Sequence, residues 1–183
     1  IVLGIFAITS QSLTGSVMQM VNHGISTGAL FLLVGMIYER RHTREIAELR
    51  GIQSVAPIFS AAFMIVMLSS IGVPGLNGFA GEFLILIGSF QSAPWVTVLA
   101  ATGLVFGSVY SLIMIHRAYF GPAKAETALP GLQLRELSMV LGLAVLLILL
   151  GVYPQPVLDT SAASMQGVQQ WLGGAFNQLA SAR

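Results

Sequence analysis

The feature of this sequence that most constrains its fold is a long apolar stretch, residues 56–90, which contains a single charged side chain, Glu82. A Pro-Gly break at residues 72–78, with the sequence Gly-Val-Pro-Gly-Leu-Asn-Gly, lies just before that carboxylate. An ionised group is costly at membrane depth, and such a break is where a membrane helix can open its backbone toward a polar cavity. Glu82 is therefore the first candidate for function.

Composition explains why membrane depth is the relevant environment. The chain has 183 residues, of which 55% are hydrophobic and 8% charged, whereas soluble domains carry about 25% charged residues. This indicates an integral membrane protein. The absence of cysteine excludes disulfides, thiolate metal sites and iron–sulfur ligation in this chain, and the net charge of +1 argues against nucleic acid as a partner. Because the chain begins with apolar residues and lacks an initiator Met, we expect it to be a fragment that opens part-way through a span.

Hydropathy predicts an all-α, polytopic transmembrane helix bundle with one broken helix. The predicted bundle covers residues 1–153, and the remaining residues, 154–183, form an external C-terminal tail that is partly an amphipathic helix. The predicted elements are the end of a helix at 1–9, a polar turn at 10–15, spans at 16–38, 56–91 (broken at 72–78), 96–118 and 137–153, and loops at 39–52 and 119–136.

The stretch 56–91 is long enough to be one broken crossing or two short ones, and the basic residues decide between them. Four arginines precede it in the loop 39–52, and further basic residues lie in or beside the loop 119–136. Two crossings would place these loops on opposite sides of the membrane, whereas a single crossing places both on one side, as the positive-inside rule prefers. A single broken crossing is therefore predicted, with both loops cytoplasmic and the C-terminus outside.

Glu82 lies in the first turns of the helix that follows the break. Desolvation raises the proton affinity of such a carboxyl, while a helix N-terminus or a cation lowers it, and a balance between them suits a proton relay. The alternative is a carboxyl that stays protonated and hydrogen-bonds a neighbouring helix. We favour the relay, because carboxylates inside membranes are generally functional.

His23 is the other titratable residue well inside a span. Asn22, Ser26 and Thr27 offer it hydrogen-bond partners or water sites within about one turn, and Ser26 and Thr27 follow it on the same helix face. An imidazole changes protonation near neutral pH, which suits a proton path. A neutral histidine bonded to a backbone carbonyl, or a packing site built on Gly24 and Gly28, explains the pattern equally well.

Two residues of the break itself are candidates for lining water or satisfying opened backbone groups, namely Pro74 and Asn77. No phosphate-binding loop, catalytic triad, metal-ligand spacing or cofactor fingerprint occurs in the sequence, so neither a cofactor-binding nor a metal site is predicted. Redox chemistry within this chain is not expected.

Several strings of the sequence resemble the subunit M family of bacterial NADH–quinone oxidoreductase, respiratory complex I. The strings are residues 22–31 (Asn-His-Gly-Ile-Ser-Thr-Gly-Ala-Leu-Phe), 38–44 (Tyr-Glu-Arg-Arg-His-Thr-Arg), 74–83 (Pro-Gly-Leu-Asn-Gly-Phe-Ala-Gly-Glu-Phe), 108–112, 116–121 and 151–160. The resemblance extends over the whole chain in the same order and corresponds to the C-terminal third or so of that subunit. It implies an antiporter-like fold built from two inverted repeats, each with a broken helix.

The resemblance also implies roles for individual residues. Glu82 matches the glutamate in the broken helix of the second repeat, which the family uses at the exit end of its proton path, and the homologous L and N subunits carry lysine there. His23 matches a histidine on the polar axis that connects the entry and exit halves. The family's other essential charged residues lie on earlier helices that this chain lacks.

The function expected from this resemblance is proton translocation in the membrane arm of a translocating NADH:quinone oxidoreductase in the bacterial inner membrane. The expected partners are the L-type and N-type antiporter-like subunits and the lipid bilayer, while FMN, iron–sulfur clusters and quinone are expected only in other subunits. A subunit of a multisubunit cation/proton antiporter or membrane-bound hydrogenase is one alternative. The other is a non-transporting assembly scaffold between neighbouring membrane subunits.

Overall fold

The predicted all-helical membrane bundle is confirmed by a computed structural model, which describes residues 1–122 and 131–181. Residues 123–130 of the predicted loop 119–136 and residues 182–183 of the predicted tail lie outside this part. The helices within it are α1 (Val2–Ala7), α2 (Ser10–Arg41), α3 (Ile52–Val55), α4 (Pro57–Ser70), α5 (Asn77–Ser92), α6 (Pro94–Tyr119), α7 (Leu134–Val152) and α8 (Gln155–Ser181).

Three of the described helices are long and apolar enough to cross a membrane, namely α2, α6 and α7. Helix α4 is a shorter apolar helix. It is followed by a break at residues 71–76 and then by α5. The break is thus slightly shorter than the predicted 72–78, because Asn77 and Gly78 already belong to the first turn of α5.

Residues 10–15 are the first turns of α2, so the polar turn predicted there is wrong. The turn lies at Ile8, which has a φ of 54°, and at Thr9. The backbone N–H of Ser12 donates to Thr9 Oγ1 over 3.1 Å, and Thr9 N–H donates to Ser12 Oγ over 3.2 Å. This reciprocal cap satisfies two free amide groups at the helix start, so polar residues that resemble a loop in the sequence begin a helix instead.

Helix α2 is the element along which the other helices are arranged. It also extends past the predicted end at Tyr38 to Arg41, and His42, with a φ of 52°, ends it by donating its N–H to Tyr38 O over 2.8 Å. The first residues of the predicted loop 39–52 are therefore helical. Helices commonly end in this way, with a residue in the left-handed conformation whose backbone N–H donates a hydrogen bond to a carbonyl of the last turn.

Helices α4 and α5 lie end to end along α2 and run antiparallel to it. As α5 proceeds from Asn77 to Gln91, its partners on α2 proceed backwards from Asn22 to Gln11. Helix α4 packs on the C-terminal half of α2, where Leu33 and Met36 share a buried cluster with Phe63. One long helix thus faces two half-helices in succession, which is the arrangement that a single broken crossing requires.

The two basic segments of the chain lie at the same end of the bundle. Arg40, at the end of α2, forms an ion pair with Glu136, in the first turn of α7, at 2.6 Å. Arg44 and Arg50 line a cavity together with Arg117, from the last turn of α6. The end of α2, the end of α6 and the start of α7 therefore meet, as they must if residues 56–91 cross once.

The N-terminal half of α2 approaches α5 closely through glycines. A Cβ atom added at Gly15 would lie 2.7 Å from Leu84 Cβ and 2.9 Å from Ile85 N. One added at Gly81, on α5, would lie 2.9 Å from the backbone nitrogen of Gln19. Real side chains do not tolerate such distances, so small residues bring the two helix backbones together here, as is usual in membrane bundles.

A set of reciprocal hydrogen bonds holds the break against α2. Asn22 Nδ2 donates to the backbone carbonyl of Asn77 over 2.5 Å, and Asn77 Nδ2 donates to the carbonyl of Asn22 over 3.3 Å. The hydroxyl of Ser69, at the end of α4, donates to Asn77 Oδ1. Both asparagines and Ser69 are fully buried. We call these three residues the break clamp, because they join α2 to the ends of both half-helices.

The end of α7 closes the break from another side. A Cβ atom at Gly151 would lie 2.5 Å from Gly75 O and from Leu76 Cα. After Pro154 the chain continues as α8, which packs against α2. The tail predicted at 154–183 is thus helical over its described part, and its position outside the membrane stays a prediction.

Gly15→Ala tests the close approach of α2 and α5. Overpacking at such a site costs about 1–3 kcal/mol, so we expect a lower thermal unfolding midpoint of the purified full-length protein in detergent. Gly24→Ala is the matched control on the same helix, since its added Cβ would meet no atom of another described element within 4 Å. The control should be neutral or slightly stabilising, because alanine favours helix by about 1 kcal/mol over glycine. Equal effects of the two substitutions would contradict this packing.

Asn77→Leu tests the break clamp. The substitution removes the acceptor of the buried Ser69 hydroxyl, and an unsatisfied buried group of this kind costs about 1–3 kcal/mol. We expect a clear drop in the unfolding midpoint and faster protease cleavage near residues 71–76. Gln91→Leu, which removes an exposed amide pair with Gln11, should change neither readout, and a stable, uncleaved Asn77→Leu protein would rule out the clamp.

Candidate functional site

Glu82 lies in the second turn of α5, immediately beyond the break, as predicted. Its Oε1 accepts a hydrogen bond from Gln19 Nε2, on α2, at 3.0 Å. Its Oε2 faces Gly72, where an added Cβ would lie only 2.5 Å away. Gly72 has a φ of 74°, which favours glycine over other residues. The carboxylate is therefore held between an amide of α2 and the bare backbone of the break.

A cavity of about 490 Å³ lies beside this carboxylate. Gln19 and Glu82 supply its polar wall, and the remaining lining is apolar. Those apolar residues come from the N-terminus of the chain with α1, from α5 and from α6, and they are Ile1, Val2, Leu3, Ile85, Leu86, Ala100 and Leu104. Among the described residues that line the cavity, Glu82 is the only one with a titratable side chain, so a water or a proton entering the cavity meets this carboxyl.

His23 lies one turn from Gln19 along α2 and is exposed on the described surface. Thr27 Oγ1 lies 3.3 Å from His23 Nδ1 and 3.4 Å from His23 Nε2. Gln19, His23 and Thr27 are spaced by four residues, so they share one face of the helix. We call these three residues the α2 polar row. The row starts with Gln19, beside Glu82, and leads away from Glu82 along α2.

The direct neighbour of Glu82 is Gln19 rather than His23. Within residues 1–122 and 131–181, the hydrogen bonds of Glu82 and of the His23 ring go to Gln19 and to Thr27, respectively. The sequence analysis missed Gln19, although an amide four residues before His23 in an apolar helix is a signal for it. Gln19, one turn before His23 on α2, is thus the side chain of the α2 polar row that contacts Glu82.

The other residues predicted for the site divide between the α2 polar row and the break clamp. Ser26 does not share the environment of His23, since it is buried and donates to the carbonyl of Asn22 over 2.9 Å. Asn22 and Asn77 support the break, and Asn22 Oδ1 is buried without a hydrogen-bond partner in the described part. Pro74 is exposed in the turn between the half-helices.

Ser69 is the second residue that the sequence analysis missed. Its hydroxyl contacts Asn77 across the break, and its position one residue before the end of an apolar helix gave no sign of that contact. As to metal ions, no group of three or more His, Cys, Asp or Glu side chains lies together among the described residues.

Comparison with known proteins places this geometry in a family. The family described as the NADH:quinone oxidoreductase/Mrp antiporter transmembrane domain matches residues 1–108, which include α2, the break and Glu82. NADH-quinone oxidoreductase subunit M of Pseudomonas aeruginosa is 57% identical over 180 residues, which are 98% of this chain and 35% of that protein. The corresponding subunit of Escherichia coli is 48% identical over 93% of this chain and 34% of its own length.

Solved structures share the fold. Respiratory complex I from Thermus thermophilus with bound NADH contains a chain that superposes with a TM-score of 0.83 at 33% identity, over 91% of this chain and 36% of that chain. The Mrp complex from a Dietzia species contains one that superposes with a TM-score of 0.78 at 19% identity, over 88% and 39%. The second likeness concerns the fold alone.

The chain spans about a third of the length of the curated relatives that it matches. The family match covers more than half of the chain, from the first residue through the broken helix to the middle of α6. The chain therefore belongs to the NADH:quinone oxidoreductase/Mrp antiporter family of membrane proteins.

Proposed function

We propose that this chain is part of a proton-translocating membrane subunit of NADH–quinone oxidoreductase, and that it contributes the exit half of the proton path. The observation that carries the proposal is the hydrogen bond between Gln19 and Glu82 at the helix break. It joins the carboxyl beside the cavity to a row of polar side chains on α2. The naming of the relatives as NADH-quinone oxidoreductase subunit M supports the assignment to that complex.

In this proposal Glu82 carries the proton and Gln19 positions it. A carboxylate accepts hydrogen bonds only, whereas a protonated carboxyl also donates one. The Gln19 amide suits both states, since its Nε2 donates to the carboxylate and its Oε1, buried and without a partner in the described part, is an acceptor for the protonated form. A rotation of one amide group thus accommodates uptake and release of a proton without movement of the helices.

His23 is the next titratable group along the α2 polar row. The row runs from Gln19 through His23 to Thr27, so a proton passes between Glu82 and His23 by way of Gln19 and water in the cavity beside it. No covalent bond of a substrate is made or broken in this chain. Reduction of quinone elsewhere in the complex would drive the transfer by changing the charge along the polar axis.

The proposed topology has both basic loops, 39–52 and 119–136, in the cytoplasm and the C-terminus in the periplasm of a bacterial inner membrane. Five arginines lie at one end of the bundle, namely Arg40, Arg44, Arg50, Arg117 and Arg135. Arg135 is among them because its neighbour Glu136, in the first turn of α7, forms an ion pair with Arg40. An excess of arginine at one end favours the cytoplasmic side. Proton release then occurs at the opposite end.

The proposed partners are the other membrane subunits of the complex, in particular the L-type and N-type antiporter-like subunits. The proposed enzyme is the assembled proton-translocating NADH:quinone oxidoreductase, with FMN, iron–sulfur clusters and quinone in other subunits. The likeness to a chain of an Mrp complex favours a second candidate, a subunit of a multisubunit cation/proton antiporter, on the ground of fold. Membrane-bound hydrogenase and an assembly scaffold are the remaining alternatives.

Glu82→Gln in the full-length subunit tests the role of the carboxyl. The substitution keeps the hydrogen-bonding shape but removes the titratable group, so we expect loss of most NADH-driven proton pumping. Pumping is measured by quenching of a pH-sensitive dye in inverted membrane vesicles, normalised to the amount of assembled complex. Glu48→Gln, on an exposed loop, is the matched control and should pump normally.

Three results would contradict this role or favour an alternative function. Full pumping by the Glu82→Gln complex would remove Glu82 from the proton path. Loss of assembly in that variant, with normal pumping by the complexes that still form, would favour the assembly scaffold. Sodium transport that continues in Glu82→Gln vesicles under a proton ionophore would favour the cation antiporter.

Gln19→Leu tests the positioning role of the amide. Since the substitution removes a hydrogen bond to a charged group, which is worth about 1.5–3 kcal/mol, we expect roughly tenfold or greater slowing of pumping. We also expect a shift in the infrared carbonyl band of protonated Glu82, which a purely structural role would not produce. Gln19→Asn, which keeps an amide donor, should retain more activity than Gln19→Leu, and an unshifted band in Gln19→Leu would contradict the contact.

A further inference from the structure

The basic end of the bundle contains a cavity that the proposed proton path does not use. It has a volume of about 550 Å³ and is lined by six residues of the loop after α2 and of α6, namely Arg44, Glu45, Ile46, Ala47, Arg50 and Arg117. Three guanidinium groups and one carboxylate give this lining an excess of positive charge. We call this cavity the arginine cavity.

The three arginines converge on the cavity from two parts of the chain, the loop after α2 and the end of α6. Arg44 lies over the Tyr38 ring, with its guanidinium carbon 4.8 Å from the ring centre. A Cβ atom added at Gly121 would lie 3.9 Å from a terminal nitrogen of Arg50, which places that guanidinium beside the end of α6. Arg117 comes from the last turn of α6 itself. In the described part of the chain the ion pair is Arg40 with Glu136, and Glu45 is the one carboxylate in the lining, so the arginine cavity keeps an excess of positive charge.

An exposed apolar stripe on α6 leads away from the arginine cavity. Ile113, Tyr110 and Phe106 precede Arg117 by four, seven and eleven residues, so they lie on the same helix face. Their exposed fractions are 47%, 69% and 70%, respectively. Because α6 is one of the helices long enough to cross a membrane, this stripe runs from the basic end toward the middle of the bilayer.

We propose that the arginine cavity binds the headgroup of an anionic phospholipid, whose acyl chains lie along the stripe Ile113, Tyr110 and Phe106. Guanidinium groups bind phosphate through paired, charge-assisted hydrogen bonds. Basic pockets between membrane helices on the cytoplasmic side bind anionic headgroups. A free phosphate shares the headgroup chemistry, but only a lipid uses the exposed stripe below it. The site extends beyond the proposed proton path and does not depend on it.

The test uses the full-length subunit in its complex, depleted of lipid in a neutral detergent. Binding of dioleoyl phosphatidylglycerol and of dioleoyl phosphatidylcholine is compared by native mass spectrometry. We expect retention of phosphatidylglycerol, about fivefold weaker in Arg117→Gln and in Arg50→Gln, since each basic residue near an anionic surface contributes about 1 kcal/mol. Glu45→Gln should strengthen binding, because it removes a like charge from the cavity.

Arg135→Gln is the matched control. It removes one positive charge at the same end of the bundle, from an exposed residue that does not line the arginine cavity, so binding should stay unchanged. An equal loss in this control would overturn the proposal, since it would reveal only general attraction to the basic surface. A gain in Glu45→Gln also shows that the weakened variants are not simply misfolded.

Inorganic phosphate and an apolar-stripe variant distinguish the lipid from a free anion. Ile113→Gln should weaken retention of phosphatidylglycerol, because it alters the apolar stripe. Binding of phosphate from added sodium phosphate should stay unchanged, because the arginine cavity is intact. Displacement of the lipid by phosphate at equal concentration would overturn the proposal, as would equal retention of phosphatidylcholine. The proposal would also be overturned if, with no lipid bound, a partner subunit covered Tyr110 and Phe106 and so protected them from chemical labelling.

Discussion

The rest of the structure depends on the buried hydrogen bonds by which Asn22 and Asn77 join α2 to the start of α5. Polar groups at this depth have no water to bond and need partners within the protein. Each asparagine side chain donates to the backbone carbonyl of the other, and the Ser69 hydroxyl, at the end of α4, donates to Asn77 Oδ1. Because these bonds fix where α5 starts relative to α2, they also fix where Glu82 meets Gln19, five residues later on α5 and three residues earlier on α2.

The two halves of α2 are packed by different means. Toward the N-terminus, glycines bring the backbones of α2 and α5 together and polar groups fill the contact. Toward the C-terminus, Leu33 and Met36 join a large apolar cluster that includes Phe63 stacked on Tyr119, with ring centres 4.6 Å apart. Close packing makes the apolar half resistant to rearrangement. The polar half contains Gln19 and Glu82, whose hydrogen bonds change in the proposed proton transfer. The proposed proton chemistry is thus confined to one half of a rigid helix.

The sequence predicted the fold class and the position of Glu82 just after the break, because long apolar stretches are typical of membrane helices and an isolated carboxylate is conspicuous in an apolar run. It did not predict that residues 10–15 are helical. Their serines resemble a turn, and the reason that they are helical is a local cap at Thr9 and packing of Gly15 against Leu84. Gln19 was missed for a related reason. Its partner is 63 residues away along the chain, and hydrophobic periodicity describes only neighbours on one helix.

Helix α7 connects the basic end of the bundle to the break. Its first turn is tied to α2 by the ion pair of Glu136 with Arg40, and Glu136 also accepts the N–H of Gln133, which caps the same helix. Its last turn touches Gly75 and Leu76 through Gly151. A helix of 19 residues is a rod of about 28 Å. One unbroken helix therefore joins the arginine-rich end of the bundle to the interruption in its neighbour, and the position of the break is set from both ends of the bundle.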